Sequence, residues 1–326
     1  MDTEPLLEEA LRTRLGARHP RFAAAAIAGG KTALAFNGLD ENSDFEIGSL
    51  SKGITGLLYT DACRRGEISP ATTLGELLPL GNCAAASASL GALSRHASGL
   101  PRLPPGIPGS ASPLRRTAFL FLRGLNPYGE TLAELLEQAR AVRLRASRPR
   151  YSNLGFELLG HAVAAGSGMS YRDLVAARLG APLGLGSMYM PATPGELGPA
   201  ALSGTSRRGR PREPWTGEAL APAGGIRASI QDLALLAGAL LDGSAPGQSA
   251  LDPVANFAGP AVRIGAAWLT LDAKGRRITW HSGGTGGFSS WMGLDREANA
   301  AVVLLSATAA PVDRQGFKLL RELAAR

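Results

Sequence analysis

The sequence predicts an α+β protein in which an antiparallel β-sheet is flanked by N- and C-terminal helices and carries an inserted, mainly helical lobe. Two observations predict it: short apolar runs typical of strands lie near both ends of the chain, and helical periodicity fills the middle. Joining the terminal strands in one sheet is the most economical way to bury their apolar faces. We therefore expect a discontinuous sheet domain of residues 1–60 and 226–326, a helical domain of residues 61–225, and the functional site between them.

The first elements follow from capping and turn signals. Thr3 precedes apolar residues at helical spacing as far as Leu15, which predicts a capped amphipathic helix. The apolar runs 22–28 and 32–36 flank the turn Gly29-Gly30-Lys31 and predict a β-hairpin.

A short strand is expected at 45–47, followed directly by a helix that starts at Ser49 and ends before Gly66. Beyond it, a Pro- and Gly-rich stretch at 101–113 predicts an irregular loop. Further helices are predicted from apolar periodicity at 131–141, 153–165, 171–179 and 229–241.

The C-terminal part changes to period-two patterns and short apolar runs separated by turn residues, which indicates an antiparallel meander. A final helix is predicted at 312–323. The predicted strands of this meander are 262–271, 277–281, 288–293 and 300–306.

Composition excludes several classes of protein. The 326 residues include 34 basic and 27 acidic side chains, giving a net charge of +7, but aromatic residues make up only 6%. So few aromatics argue against stacking on single-stranded nucleic acid. The arginines between Arg140 and Arg150 are interpreted as a solvated face in an Arg-rich chain, so no nucleic-acid partner is expected.

Other classes of site and location are also disfavoured. Cys63 and Cys83 are too few for a disulfide framework, and no metal-ligand spacing occurs, so we expect neither a metal nor a cofactor. No apolar stretch is long enough to span a membrane. The first residues lack the basic and apolar segments of a secretory signal, which favours the cytoplasm, or the periplasm or exterior if a leader has been removed. We expect a monomer or small homo-oligomer.

Ser49 and Lys52 form a Ser-x-x-Lys pattern at the predicted start of a helix. Residues three apart share a helix face, so the two side chains can meet. A helix N-terminus stabilises negative charge, and a neighbouring base can deprotonate the serine. The pattern therefore suits a nucleophile with its activating base, although a surface serine beside an extended lysine would look the same.

Two further segments carry chemistry. Tyr151 precedes Asn153 at another helix start, and a tyrosine beside a cation can exchange a proton while the amide caps the helix or binds a substrate. His281, Ser282, Gly283 and Gly284 end a predicted strand, and the glycines would let its backbone approach a ligand closely. Each segment alone is equally consistent with a helix cap or a hairpin turn.

Together, and in this order, the motifs resemble one family. Phe45-Glu46-Ile47-Gly48-Ser49-Leu50-Ser51-Lys52 resembles the nucleophile segment of class C β-lactamases and of related D,D-peptidases, D-aminopeptidases and family VIII esterases. Tyr151-Ser152-Asn153-Leu154-Gly155 and His281-Ser282-Gly283-Gly284-Thr285-Gly286-Gly287-Phe288 resemble their second and third motifs. Two landmarks, His96-Ala97-Ser98-Gly99-Leu100-Pro101 and Pro222-Ala223-Gly224-Gly225-Ile226, also match. The resemblance implies the serine β-lactamase/D,D-peptidase-like fold.

The resemblance also implies roles. It makes Ser49 the acylated nucleophile, Lys52 its activating base and Tyr151 the partner acid and base. The remaining expected contributions are substrate orientation by Asn153, an edge strand of His281, Ser282, Gly283 and Gly284 facing the substrate, and an oxyanion hole from the N–H groups of Ser49 and Gly284.

One residue departs from the family pattern. The third motif begins with His281, where β-lactamases of this class usually carry a lysine that holds a substrate carboxylate. A histidine is mostly uncharged near neutral pH, which shifts the expectation from β-lactams towards esters or peptides. An arginine from the loop at 203–215 would restore the charge; the candidates are Arg207, Arg208, Arg210 and Arg212.

The sequence therefore predicts a serine hydrolase that cleaves an amide, ester or β-lactam bond in a small molecule: an ester, a D-amino-acid peptide or a β-lactam. An acyltransferase would use the same acyl-enzyme with an amine or alcohol in place of water. A non-catalytic binding protein of the same fold is the other alternative. The intact set of Ser49, Lys52 and Tyr151 argues against it.

Overall fold

The computed structural model describes residues 11–325 apart from 12, 104–123, 127, 129–130, 147 and 274. The strands within this part of the chain are β1 (Phe22–Ala28), β2 (Lys31–Asn37), β3 (Asp44–Glu46), β4 (Arg227–Ser229), β5 (Ala255–Ala258), β6 (Val262–Ile264), β7 (Leu269–Ala273), β8 (Arg276–Gly284), β9 (Ser289–Asp295) and β10 (Ala300–Ser306). The helices are α1 (Ser51–Arg64), α2 (Leu74–Leu77), α3 (Leu90–Ser94), α4 (Leu132–Arg140), α5 (Asn153–Gly166), α6 (Tyr171–Val175), α7 (Ala181–Leu183), α8 (Ala221–Gly224), α9 (Ile230–Asp242) and α10 (Asp313–Leu323).

Strands from both ends of the chain form one antiparallel sheet in the order β2-β1-β10-β9-β8-β7-β6-β5. The N-terminal hairpin joins the C-terminal meander where β1 pairs with β10, with Phe22 opposite Ser306 and Ala28 opposite Ala300. A separate two-stranded sheet pairs β3 with β4. The predicted α+β class, with an antiparallel sheet and helices between its strands, is confirmed.

Successive side chains along a strand point to opposite faces of the sheet, and in the central strands β1, β9 and β10 both faces are buried. On β1, Ala23, Ala25 and Ile27 face the main core, whereas Phe22 and Ala24 pack with the second core. The main core contains residues of α1, α5 and α9, and the second core contains residues of α10. The sheet is therefore sandwiched between helices, and the division into two domains at residues 60 and 225 stays a prediction.

The predicted helices agree closely with α5, α9 and α10. The cap expected for α9 is present, because Ser229 Oγ accepts a hydrogen bond of 3.2 Å from the Asp232 N–H. The helix predicted at 171–179 is shorter: α6 ends at Val175 and a π-helical turn covers Ala176–Gly180. Most of the predicted N-terminal helix, and most of the loop at 101–113, lie outside the described residues.

The strand prediction at 262–271 was wrong. The run folds back on itself as β6 and β7, with Val262 opposite Leu271. Gly265 lies against the Ala250 carbonyl, where an added Cβ would approach to 2.2 Å, and Ala267 has a φ of 69°. These two positions reverse the chain, which an apolar run alone does not reveal. None of the described helices is long and apolar enough to cross a membrane.

Candidate active site

Ser49 lies in a tight turn between β3 and α1. Gly48–Leu50 form a single 3-10 turn, so Ser49 precedes the α-helix that was predicted to start with it. Gly48 has a φ of 52°, and a Cβ at that position would lie 2.7 Å from the Gly284 nitrogen. Only glycine tolerates both the left-handed backbone and this contact. The turn thereby brings Ser49 next to the end of β8.

Lys52 is fully buried beneath Ser49. Its Nζ donates a hydrogen bond to Ser49 Oγ at 3.2 Å and another to the Ala223 carbonyl at 2.5 Å. The second bond comes from α8, within the Ala-Gly-Gly segment noted in the sequence. Because both bonds are to fixed atoms, the ammonium is held on one side of Ser49.

Tyr151 is the second side chain that contacts Ser49 Oγ. Its hydroxyl donates a hydrogen bond of 2.6 Å to Ser49 Oγ, and its ring centroid is 4.9 Å from Lys52 Nζ. Ser152 fixes this position as the N-cap of α5, because its Oγ accepts from the Gly155 N–H at 2.9 Å. The three residues predicted to act together thus meet at one oxygen atom.

His96 also belongs to this group, although the sequence indicated no role for it beyond its place in a landmark segment. Its ring is centred 4.6 Å from the Tyr151 ring, and its Nδ1 accepts a hydrogen bond of 3.2 Å from the Ser152 N–H. Burial, aided by the Lys52 charge, holds the pKa of His96 well below its usual value. His96 is therefore a neutral support for Tyr151, and the His-Ala-Ser-Gly-Leu-Pro landmark was the signal for it.

The third motif, on β8, forms another wall of the cavity beside Ser49. Strand β8 continues through Gly284, beyond the end predicted at His281. A Cβ on Gly283 would lie 2.0 Å from the Ile47 carbonyl oxygen, so glycine lets β8 pack directly on the turn that carries Ser49. Ser282, Gly283 and Gly284 all line the cavity beside Ser49.

His281 is buried at this wall and carries no charge near neutral pH. Its Nδ1 donates to the Ser282 carbonyl at 2.9 Å in the tautomer that this contact requires. Burial, reinforced by the Lys52 cation, lowers the pKa of His281 to about 3. Its side chain therefore provides no cationic anchor for a carboxylate.

Asn153 does not cap α5, because Ser152 fills that role. Its Nδ2 donates to the Tyr128 hydroxyl at 3.0 Å. Its Oδ1 is buried and has no hydrogen-bond partner among the described residues. Asn153 lines the cavity, so this oxygen is an acceptor available to a ligand N–H.

The cavity beside Ser49 has a volume of about 530 Å³. One side is aromatic: Tyr128 packs edge-on against Trp215, with ring centroids 4.8 Å apart. Of the four arginines considered in the loop at 203–215, Arg207 lines the cavity. Tyr128, Trp215 and Phe257 carried no motif, and only the fold brings them here.

Within the described part of the chain, no group of three or more His, Cys, Asp or Glu side chains could hold a metal ion. Cys63 and Cys83 are both free thiols and half-buried.

Comparisons with known proteins identify relatives by sequence and by fold. A beta-lactamase-like protein of Arthroderma benhamiae is 27% identical, and the match covers 87% of this chain and 51% of that relative. The chain therefore spans about half the length of the curated relative it matches.

Solved structures show the same fold. A class C beta lactamase from Rhodobacter sphaeroides superposes with a TM-score of 0.75 at 21% identity, covering 97% of this chain and 96% of the other. A beta-lactamase/D-alanine carboxypeptidase from Pseudomonas syringae superposes with a TM-score of 0.79 at 18% identity, covering 98% of both chains. The family model described as Beta-lactamase matches residues 7–325. Because that match covers nearly the whole chain, the protein belongs to the beta-lactamase family.

Proposed function

We propose that the protein is a serine hydrolase that cleaves an ester or amide bond through an acyl-enzyme on Ser49. The observation that carries the proposal is the pair of hydrogen bonds at Ser49 Oγ, one from Lys52 Nζ and one from the Tyr151 hydroxyl. A serine becomes nucleophilic when a neighbouring base takes its proton, and these two side chains are the groups in contact with it.

In the first step, the Lys52–Tyr151 pair, with one of its two groups deprotonated, accepts the Ser49 proton as Oγ bonds to the substrate carbonyl carbon. The carbonyl electron pair moves to oxygen, and the N–H groups of Ser49 and Gly284 stabilise this oxyanion. Their closeness is supported by the contact that a Cβ on Gly48 would make with the Gly284 nitrogen. Such a donor pair is worth a few kcal/mol, about 3 kcal/mol for one donor.

Collapse of the tetrahedral intermediate breaks the bond to the leaving group, which takes the proton back from the Lys52–Tyr151 pair. Water then attacks the acyl-enzyme by the same route, the pair again taking a proton and returning it to Ser49 Oγ. The product acid leaves and the starting state is restored.

Esters and peptides are the favoured substrates within this proposal. The uncharged His281 supplies no cation beside the scissile bond, where a β-lactam carboxylate would need one. The aromatic side of the cavity, formed by Tyr128 and Trp215, suits an apolar group. Asn153 Oδ1 suits a substrate amide N–H.

The test compares initial rates on nitrocefin and p-nitrophenyl butyrate for the wild type, Ser49→Ala and Ser51→Ala. Ser51 is the matched control, because its Oγ accepts from the Ile226 N–H at 3.3 Å and it lies two residues from the nucleophile. We expect ester hydrolysis to exceed nitrocefin hydrolysis, to disappear in Ser49→Ala and to persist in Ser51→Ala. Rates that survive in Ser49→Ala would refute the proposal. Dominant nitrocefin turnover would refute the substrate preference alone.

A further inference from the structure

A second cavity, of about 730 Å³, adjoins the one beside Ser49. Its walls are the residues that precede β1 and the segment that enters α10. Arg207 and Pro311 line both cavities. A ligand in the Ser49 cavity that extends past Arg207 therefore enters the second cavity.

The second cavity is basic. Arg14, Arg18 and Arg207 contribute to its lining. Arg207 Nε donates to the Ala309 carbonyl at 3.1 Å, which holds this guanidinium at the junction. The remaining titratable side chain in the lining is His19, and burial, with a smaller effect of Arg18, lowers its pKa, so it is neutral near pH 7.

Two polar atoms of this lining have unused hydrogen-bonding capacity. Arg14 Nη2 pairs with Glu322 at 2.6 Å, but Arg14 Nη1 is buried without a hydrogen-bond partner among the described residues. Gln315 Oε1 is likewise buried without a hydrogen-bond partner among the described residues. Buried polar groups are normally satisfied, so such atoms mark a place where a ligand or water completes the network.

The charge distribution along the two cavities is uneven. His281 leaves the neighbourhood of Ser49 without a cationic anchor on β8, and Asp313 adds a carboxylate to the lining of the same cavity. Arg102 also lines that cavity, with its guanidinium carbon 5.5 Å from the centroid of the Tyr151 ring. The guanidinium groups of Arg207, Arg18 and Arg14 lie at the junction and beyond it. The second cavity and its junction therefore offer a carboxylate three guanidinium groups and no acidic side chain among the described residues of the lining, whereas Asp313 opposes Arg102 in the lining of the Ser49 cavity.

We propose that the second cavity is a distal subsite that binds the carboxylate end of an extended substrate, with Arg207 at the junction and Arg18 and Arg14 beyond it. The inference rests on the proposed function, because it assumes that the scissile carbonyl lies at Ser49. A guanidinium presents a planar fork of N–H donors that matches a carboxylate, which favours this group over other chain ends.

The test uses pairs of esters that differ only in a terminal carboxylate. In the first series the carboxylate ends the acyl group. There, p-nitrophenyl butyrate is paired with p-nitrophenyl hydrogen succinate, and p-nitrophenyl octanoate is paired with p-nitrophenyl hydrogen suberate. With the carboxylate on the leaving group, octyl acetate is paired with its analogue ending in a carboxylate. We expect a preference of about tenfold in kcat/KM for the long anionic ester in at least one series, expressed mainly in KM. The short pair should show little preference, because a short chain does not reach past Arg207.

The variants Arg18→Gln and Arg207→Gln should each remove most of that preference, and so should about 0.5 M NaCl, because exposed charges are screened by salt. Arg208→Gln is the matched control: Arg208 is an exposed neighbour in the same loop and lines neither cavity. The preference should remain in this variant.

The failure of this inference and the failure of the proposed function give different results. If neutral esters are hydrolysed through Ser49 but no long anionic ester is preferred in either series, the distal subsite is refuted and the hydrolase stands. A preference that survives both arginine variants refutes it equally. If no ester is hydrolysed, the function fails, and calorimetric titration of the Ser49→Ala protein with suberate decides the subsite: binding lost in Arg18→Gln supports it, and absent binding refutes it.

Discussion

At the scale of single residues, Ser49 Oγ receives hydrogen bonds from partners that lie three and 102 positions away in the chain. The local partner, Lys52, is set by the turn and first helical residues, whereas Tyr151 depends on the packing of α5 against α1. Because both bonds converge on one oxygen, substitution of either partner should change kcat more than KM.

Tyr151→Phe removes the hydroxyl that contacts Ser49 Oγ and keeps the ring packed against His96. We expect kcat for the ester to fall by about two to four orders of magnitude, with KM little changed, because a proton-transfer group is lost. Tyr128→Phe is the comparison, since the Tyr128 hydroxyl contacts Asn153 rather than Ser49 and should alter KM. Steady-state kinetics of both variants measure the contrast. An unchanged kcat in Tyr151→Phe would contradict the proposed role.

Most of the reacting group could be predicted from the sequence, because Ser49 and Lys52 lie three residues apart in one short motif and the other motifs have a recognisable order. The walls of the cavity could not. Tyr128, Trp215 and Phe257 come from loops and an edge strand, and no periodicity of their own marks them. His96 was visible within a motif, but its contact with Tyr151 depends on long-range packing.

At the scale of elements, β3 and β8 are the two segments whose fit determines the site. Glu46, the last residue of β3, is buried and accepts from the Trp215 N–H at 2.9 Å, and its Oε1 lies 3.4 Å from Arg227 Nη1. One carboxylate therefore links the nucleophile strand to Trp215 in the cavity wall and to β4. Burial raises its pKa to about 7, although the Arg227 charge opposes the rise.

Glu46→Gln should remove a pH-dependent component of activity. Below about pH 7 the wild-type carboxyl is protonated and loses its ion pair with Arg227, so kcat/KM should rise as the pH increases through 7. Glutamine keeps an acceptor for Trp215 and cannot titrate. We therefore expect the limb near pH 7 to disappear in Glu46→Gln. Asp44→Asn, which removes the other carboxylate paired with Arg227, should retain it.

A pH–rate profile of kcat/KM for the three proteins measures this effect. If Glu46→Gln shows the same limb as the wild type, the limb belongs to another group and the proposed coupling is wrong.

Gly283→Ala should disrupt the contact between β8 and the nucleophile turn. The added Cβ would lie 2.0 Å from the Ile47 carbonyl oxygen, a backbone atom that cannot move without displacing Ser49. We expect a loss of more than about 2 kcal/mol in the free energy of unfolding, with loss of activity in the folded fraction.

Gly238→Ala in α9 is the control. An added Cβ there meets nothing within 4 Å, and alanine favours a helix, so this variant should be as stable as the wild type or more so. Urea unfolding of both proteins measures the difference. A Gly283→Ala protein of wild-type stability and activity would contradict the tight packing.

Helices and strands were predictable where one signal dominated. Strands β1, β2 and β10 show clear apolar runs, and α9 has a capping serine with an aspartate three residues later. The error at 262–271 arose because an apolar run has the same appearance in one long strand and in a hairpin. Strand β5 was missed because this short edge strand is half exposed and has no apolar run of its own.

At the scale of the whole molecule, the apolar runs at both ends of the chain predicted that strands from the two ends join in one sheet. The pairing of β1 with β10 confirms this prediction. Which side chains become buried was harder to foresee. All four histidines in the chain are buried, and burial lowers the pKa of each; they are His19, His96, His161 and His281.

This burial predicts that stability falls in mild acid. The unfolded chain takes up protons near pH 6.5, whereas the folded histidines remain neutral to lower pH, so unfolding is favoured as the pH falls below 6.5. A histidine that stays neutral in the folded state costs about 1 kcal/mol at about pH 5.5. His96 and His281, whose pKa values are lowered furthest, should contribute most. Glu46 and Asp232 act in the opposite sense, because burial raises the pKa of each carboxyl and so favours the folded state as the pH falls, but they are two groups against four.

Urea unfolding at about pH 7.5 and about pH 5.5 tests this prediction. We expect a lower midpoint at the acidic pH. His161→Gln lies in a helix outside the cavity and removes one titrating group, so it should reduce the difference between the two urea midpoints. An equal or higher urea midpoint at the acidic pH would show that the histidines do not dominate the pH dependence of stability.

The most direct test of the central claim is covalent labelling of Ser49. The wild type, Ser49→Ala and Ser51→Ala are incubated with a small fluorophosphonate, and intact mass and peptide mapping locate the adduct. We predict a single adduct on the peptide that contains Ser49, present in the wild type and in Ser51→Ala and absent from Ser49→Ala. An adduct that persists in Ser49→Ala, or a wild type that hydrolyses esters without being labelled at Ser49, would contradict the account.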